Sequence, residues 1–243
     1  MTASCLRYTG RTPDGRGIAV SLSGERITAV EEIPPDPALP YVLPPLVDLQ
    51  HNGALGSYYA RMDQEGTESL PHIVTHMRQH GVGRSLLTLP TYSLEGQKAT
   101  LHLLNDCLEK YRDLARMFCR MFHEGIFISP QEGWRGSHEK KWIVPPDYDR
   151  IRELDDASGG RIRLVNVAPE EPGGLTFVEE AAKDNKVVAL GHCCPDADVI
   201  AEAVARGASV VTHFGNGAAP HIHRFNNPFW PFLETGNLLR GSI

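Results

Sequence analysis

The sequence predicts an α/β protein organised as a TIM-like barrel, with a small β subdomain ahead of it. Three observations carry that prediction. From Leu46 onward, short apolar runs alternate with amphipathic helical stretches, which is the pattern of parallel βαβ units. The strand runs are apolar on both faces, as strands covered on both sides are. The length, 243 residues, is close to the roughly 250 that one such barrel uses.

Residues 1–45 read as a small β subdomain. Ile18, Val20 and Leu22 alternate with small or polar residues, Ser23-Gly24-Glu25 makes a turn, and a second strand runs from Ile27 to Val30. Pro34, Pro35, Pro37 and Pro40 then close the segment as a linker. The barrel is assigned to residues 46–243. Strands are expected over 46–49, 85–89, 116–122, 162–167, 186–191 and 208–212, with a ragged seventh over 238–242. Helices are expected over 68–80, 95–114, 147–157, 174–184 and 195–206. The last helix is well marked: Pro195 suits its first turn, Asp196 and Asp198 its positive end, and Gly207 stops it. Val199, Ile200, Ala203 and Val204 form its apolar stripe. Only seven strands can be counted, so a closed (β/α)8 barrel is incomplete within 1–243. The chain reads as a fragment, or as one cut short.

Bulk properties narrow the function. A net charge of −6 with 22% charged residues gives no basic surface for nucleic acid. No apolar run approaches the roughly 18–20 residues of a membrane span, and the N-terminus has no signal-peptide core. Five cysteines, odd in number and irregular in spacing, point to a reducing compartment, and the cytoplasm is expected.

The chemistry concentrates at strand ends. Leu190-Gly191-His192 and Val211-Thr212-His213 each follow an apolar, β-branched run, and a third run ends in Phe122-His123-Glu124-Gly125. Two histidines and one glutamate delivered to the same end of a sheet leave room for water, as catalytic rather than structural metal sites do. One divalent cation is expected, Zn2+ by first choice, with Fe2+, Mn2+ or Co2+ suited to the same donors. A single strand-end histidine is more often structural; the combination with a carboxylate turns the reading toward a metal. His123, adjacent to Glu124, faces the other side of the strand and reads as structural. His72, His76 and His80 read as a solvated helix face, and Cys193 and Cys194 as packing or capping residues.

In order along the chain stand the run from Leu43 to Gly53, Glu124-Gly125-Ile126-Phe127-Ile128-Ser129-Pro130, Gly136-Ser137-His138, Val167-Ala168-Pro169-Glu170, Gly191-His192 and Thr212-His213-Phe214-Gly215-Asn216. This series resembles the N-acetylglucosamine-6-phosphate deacetylases of the amidohydrolase superfamily, whose fold is a distorted (β/α)8 barrel with a small β-sandwich. The resemblance implies removal of an acetyl group from an N-acetylated amino sugar, by water activated on one metal held by Glu124, His192 and His213. Gln50, where many relatives in the superfamily carry a His-x-His pair, is implied to hold a metal-bound water. Ser137, His138, Asn216 and Gly217 match substrate-contacting positions. Arg224 matches an arginine that reaches the substrate phosphate from the partner subunit of a homodimer. The family's catalytic aspartate follows an eighth strand and would lie beyond Ile243. The sequence departs from the family at Phe122, at Ile126, at Cys193-Cys194-Pro195 and in the aromatic loop 221–230. Two further readings stand beside this one: a cyclic-amide hydrolase of the same superfamily, which the Asp48-Leu49-Gln50 run disfavours, and a truncated, non-catalytic sugar-binding barrel.

Overall fold

The structure is a computed structural model that describes residues 5–236 and 238–241. It divides into two units, Met1–Leu46 and Val47–Ile243. Ser242, the last residue of the expected seventh strand, lies outside the described residues, as does Ile243.

The first unit is a three-stranded antiparallel sheet, β1 (Cys5–Arg11), β2 (Gly17–Ser23) and β3 (Arg26–Ile33), with β2 in the middle. The register pairs Ser23 with Arg26, so Gly24 and Glu25 form a two-residue turn. Gly24 sits at φ +59°, a conformation that such tight turns need and that side chains oppose. The sequence reading found β2 and β3 but missed β1.

The second unit holds β4 (Leu46–His51), β5 (Val82–Leu89), β6 (Arg120–His123), β7 (Ile162–Val167), β8 (Val187–Leu190), β9 (Ala208–Val211) and β10 (Leu239–Arg240). They form one curled sheet in the order β10-β9-β8-β7-β6-β5-β4. Pairing from β5 through β10 is parallel. Among the described residues the sheet is a half-barrel of seven strands whose ends do not meet. The helices are α1 (Met62–Glu65), α2 (Leu70–Gln79), α3 (Leu94–Lys110), α4 (Arg112–Met117), α5 (Tyr148–Ala157), α6 (Gly174–Lys183), α7 (Ala197–Ala205) and α8 (Phe229–Glu234).

Strand parity sorts the core into two layers. Met121, Val165, Val188, Leu190 and Val211 pack under helix residues such as Ile151, Leu154, Phe177, Val178 and Ile200. Their alternates Phe122, Leu164 and Ala189 form a separate cluster on the concave side, with Leu86, Val187 and Val210 against it. This is the arrangement expected of barrel strands apolar on both faces.

β4 runs on to His51 and β5 starts at Val82, longer than the expected 46–49 and 85–89, and three further boundaries differ from expectation. The helix expected over 95–114 is two helices, broken at Tyr111, which is extended (φ −115°, ψ 100°) and flanks both. No glycine or proline marks that break. Helix α4 also takes the first residues of the strand expected at 116, because Leu114 and Met117 bury on its inner side; β6 starts only at Arg120. Pro195 precedes α7 rather than opening it. Asp196 is the cap, its carboxylate accepting from Val199 N at 2.9 Å.

Candidate metal centre

The three predicted strand ends converge. One ligand atom each from Glu124, His192 and His213 lies within 4.8 Å of the others, and no second such group occurs among the described residues. Glu124 Oε1 stands 2.5 Å from His213 Nε2 and 3.4 Å from His192 Nε2. Glu124 and His192 are buried, and His213 is half-buried.

Local backbone geometry aims both imidazoles. His192 has φ 52° and His213 φ 54°, left-handed values that non-glycine residues adopt at a cost of about 1–3 kcal/mol each. Each strand therefore ends in a sharp turn that swings the ring over the sheet's edge. Gly191 permits this: a Cβ there would stand 2.2 Å from Thr212 Cγ2 and 3.0 Å from Asn166 Oδ1. The buried Asn166 amide donates to Glu124 O at 2.9 Å and Gly191 O at 3.1 Å, tying the mouths of β6 and β8 together.

The donor set fits a cation. The Trp134 carbonyl lies 3.0 Å from His192 Nδ1, so Nδ1 carries the proton and Nε2 presents a lone pair. That Nε2 is buried with no partner, and so is Glu124 Oε2. At His213, the Thr212 hydroxyl donates to Gln50 Oε1 at 2.6 Å, which turns the Gln50 NH2 toward His213 Nε2, 3.0 Å away. That nitrogen too becomes an acceptor. Two lone pairs facing a carboxylate oxygen are repulsive unless a positive charge sits among them.

His138 is set differently. Thr91 N–H donates to its Nδ1 at 3.4 Å, and the Thr91 hydroxyl lies 2.7 Å from the same nitrogen. The ring proton is thereby left on Nε2, which lies 3.9 Å from Glu124 Oε1. Burial and then the neighbouring His192 push its pKa down to about 4, so near neutral pH it is an uncharged N–H donor facing the triad.

Above the triad opens a cavity of about 360 Å³, lined also by Ser137, His138, Asn216 and Gly217. Its volume suits a small molecule. Gln50 touches His213 but is not among the residues lining this cavity, and neither is Arg224. Arg224 is exposed, and its carbonyl accepts from Trp230 Nε1. His123 is fully buried with Nε2 3.1 Å from Gln97 Oε1, and His76 and His80 stack on one another along α2 and just past its end. Sequence reasoning missed Thr91, Trp134 and Asn166. Asn166 alone carried a signal, as a lone amide inside an apolar strand.

A parallel α/β barrel sheet with a two-histidine, one-glutamate cluster at its strand mouths defines a class: barrels with a candidate metal centre beside a cavity of small-molecule size. Within that class the chain is similar, in sequence and fold, to N-acetylglucosamine-6-phosphate deacetylases. The protein of that name from Bacillus subtilis (strain 168) is 26% identical over 203 residues, 77% of this chain and 47% of the relative. The one from Lysinibacillus sphaericus is 36% identical over 101 residues, 42% of this chain and 26% of the relative. A mutant N-acetyl-D-glucosamine-6-phosphate deacetylase from Mycobacterium smegmatis, in complex with N-acetyl-D-glucosamine-6-phosphate, superposes with a TM-score of 0.82 at 23% identity. That match covers 98% of this chain and 63% of the other. The chain thus spans about half the length of the Bacillus relative or less of the other. No protein-family model matches the sequence.

Proposed function

We propose that this chain carries the metal centre of a hydrolase that removes the acetyl group from an N-acetylated amino-sugar phosphate, N-acetylglucosamine 6-phosphate by first choice. The observation that carries the reading is the convergence of Glu124, His192 and His213 on one point at the floor of a small-molecule cavity. These three residues would hold one divalent cation, Zn2+ before Fe2+, Mn2+ or Co2+. Such a cation supplies a water that ionises near neutral pH and polarises an amide carbonyl.

The chain's own groups do the remaining work. Gln50, whose amide faces His213, orients the attacking water. His138 offers its Nε2–H to the acetamide oxygen, where negative charge develops. Being uncharged, it donates without competing with a cation for the site. Ser137, Asn216 and Gly217 contact the sugar. Arg224, exposed and outside the cavity, reaches phosphate only across a homodimer boundary. The leaving amine needs a proton, assigned to an aspartate after a further strand, as the family resemblance implies. Unpaired cysteines and the amino-sugar substrate favour the cytoplasm, and among the described residues no helix is long and apolar enough to cross a membrane.

The test is acetate release from N-acetylglucosamine 6-phosphate by metal-loaded protein, alone and extended through the next strand. Release that stops on chelation and returns with added metal supports the reading. No release from the extended, metal-loaded protein overturns it.

A further inference from the structure

His192 sits in a turn that is held from outside. The chain leaves β8 at Leu190, passes His192 at φ 52°, and reaches the cap of α7 at Asp196. A left-handed histidine persists only where its surroundings over-determine it. At His213 the turn closes on itself, with Asn216 and Gly217 N–H donating to His213 O at 2.7 and 2.8 Å. At His192 the grips come from distant segments. The Asn166 amide donates to Gly191 O at 3.1 Å, and Ser129 N–H donates to His192 O at 2.9 Å. The Trp134 carbonyl lies 3.0 Å from His192 Nδ1. Gly136, at φ 58°, brings its backbone against the ring, where a Cβ would stand 3.3 Å from His192 Cε1.

Beyond the ligand the grip passes to Glu170. This residue follows β7 by three positions, in the loop that leads to α6. The loop is anchored: Ala168 N–H donates to Phe127 O at 2.8 Å, and Gly174 N–H donates to Glu171 O at 2.8 Å. From it, Glu170 Oε1 reaches across and accepts the Cys194 N–H at 2.5 Å, two residues past His192. A carboxylate on a backbone N–H makes a charge-assisted bond, stronger than the neutral ones around it. Its second oxygen, Oε2, is buried with no partner; a glutamate with only a solvating role would turn that oxygen to water. Between the two contacts Cys193 is buried in the core. The segment after the ligand is thus pinned by packing at one residue and by a carboxylate at the next.

We propose that Glu170 is a positioning residue of the metal centre. By holding the Cys194 N–H it keeps the His192 turn left-handed and His192 Nε2 aimed at Glu124 Oε1, 3.4 Å away. It touches neither ion nor substrate. This rests on the metal-binding part of the function proposed above and deepens it.

Zn2+ affinity, measured by competition with a chelating dye, tests this. Glu170→Met keeps the bulk, removes the acceptor and should weaken binding about 10-fold, the scale of an outer contact to a metal ligand. Glu170→Gln still offers an oxygen to Cys194 N–H and should stay within about 3-fold of wild type. In a His192→Ala background the Glu170→Met change should cost less than about 2-fold, because no ring is left to aim. A general loss of stability would weaken binding in both backgrounds. Should Glu170→Met not fold, Glu170→Asp, which draws the acceptor back by one methylene, takes its place with the same expectations. Unchanged affinity in Glu170→Met, a loss as large in Glu170→Gln, or a loss that persists without His192 overturns the assignment. Protein that shows the expected pattern but releases no acetate keeps the role of Glu170 and loses the deacetylase reading. Protein that releases acetate with an affinity indifferent to Glu170 keeps the reading and loses the role.

Discussion

The half-barrel sheet borders two cavities that contrast in place and in chemistry. The one at the strand mouths measures about 360 Å³ and gathers Glu124, His138, His192 and His213. The one on the concave side measures about 530 Å³ and is walled by Val47, Leu49, Leu86, Phe122, Leu164 and Val210. Among the described residues the larger space is lined by two ionisable side chains, Asp48 and Arg163, and by none of the metal-ligand triad. Both are built from the same strands, and β6 shows how. Phe122 turns to the concave side, His123 turns outward against Gln97, and Glu124, one step past the strand, reaches the mouth. Position along a strand, more than cavity size, decides where chemistry can occur, because only at its end is a polar side chain released from the apolar layers.

The largest expected effect breaks the comparison at the mouth. Glu124→Ala removes the one carboxylate among the three ligand atoms and should lower metal affinity by at least about 100-fold, more than loss of an outer supporting contact costs. Metal analysis after dialysis reads this directly. Full occupancy in the variant would show that the histidines bind without it and that the ligand set is misassigned.

Two residues away in sequence, Phe122→Ala should do the opposite. It deletes a buried ring from the concave cluster and should cost about 3 kcal/mol of stability. The cost falls toward the low end because the neighbouring cavity already admits relaxation. Metal stoichiometry of the folded protein should not change. Loss of metal in proportion to loss of stability would mean the two faces are one cooperative site.

Much of this division is legible in the residues. Apolar β-branched runs ending in His192 and His213, and the parity that separates His123 from Glu124, can be read directly, because periodicity and strand ends are local properties. What escapes reading is contact at long range. Trp134 acts through a backbone carbonyl, which no side-chain type announces. Thr91 lies in a loop without periodicity. The break at Tyr111 was invisible because tertiary packing of Leu114 and Met117, not a breaker residue, ends α3 and starts α4. In the same way β1, a Cys5–Arg11 strand with mostly exposed residues, lacks the clear alternation that marked β2.

Glu170 provides a subtler contrast with Glu124. Both carboxylates stand at strand mouths, Glu124 buried and Glu170 half-buried, but Glu170 has no imidazoles beside it. Its Oε1 accepts the Cys194 N–H at 2.5 Å, and Oε2 has no partner. Burial, only partly opposed by that backbone N–H, raises it from 4.5 to about 7. A carboxyl whose folded pKa is raised is bound to its proton more tightly in the native state. Its contribution to stability is therefore complete below about pH 4.5 and is lost as pH climbs through about 7. At roughly 1.4 kcal/mol per unit, the loss is at most about 3 kcal/mol. Chemical denaturation of the metal-free protein between those pH values should show the decline, and Glu170→Gln should flatten it. A wild-type profile already flat there would place Glu170 in contact with water.

The smallest expected effect tests how His138 is held. With Thr91 N–H and hydroxyl both directed at Nδ1, the ring proton stays on Nε2 and faces the triad. Thr91→Val keeps the shape and the backbone N–H but removes the hydroxyl, so the tautomer becomes a mixture instead of a single form. Only the fraction protonated on Nε2 can donate to an acetamide oxygen. The expected loss in kcat/KM is about 10-fold, near 1.4 kcal/mol, and it should fall on kcat rather than KM if the contact tightens as charge develops. Nitrogen NMR of the His138 ring supplies a readout independent of turnover: one tautomer in wild type, two in the variant. A single, unchanged tautomer in Thr91→Val would mean the long backbone contact alone fixes the ring, and the hydroxyl would then be packing and nothing more.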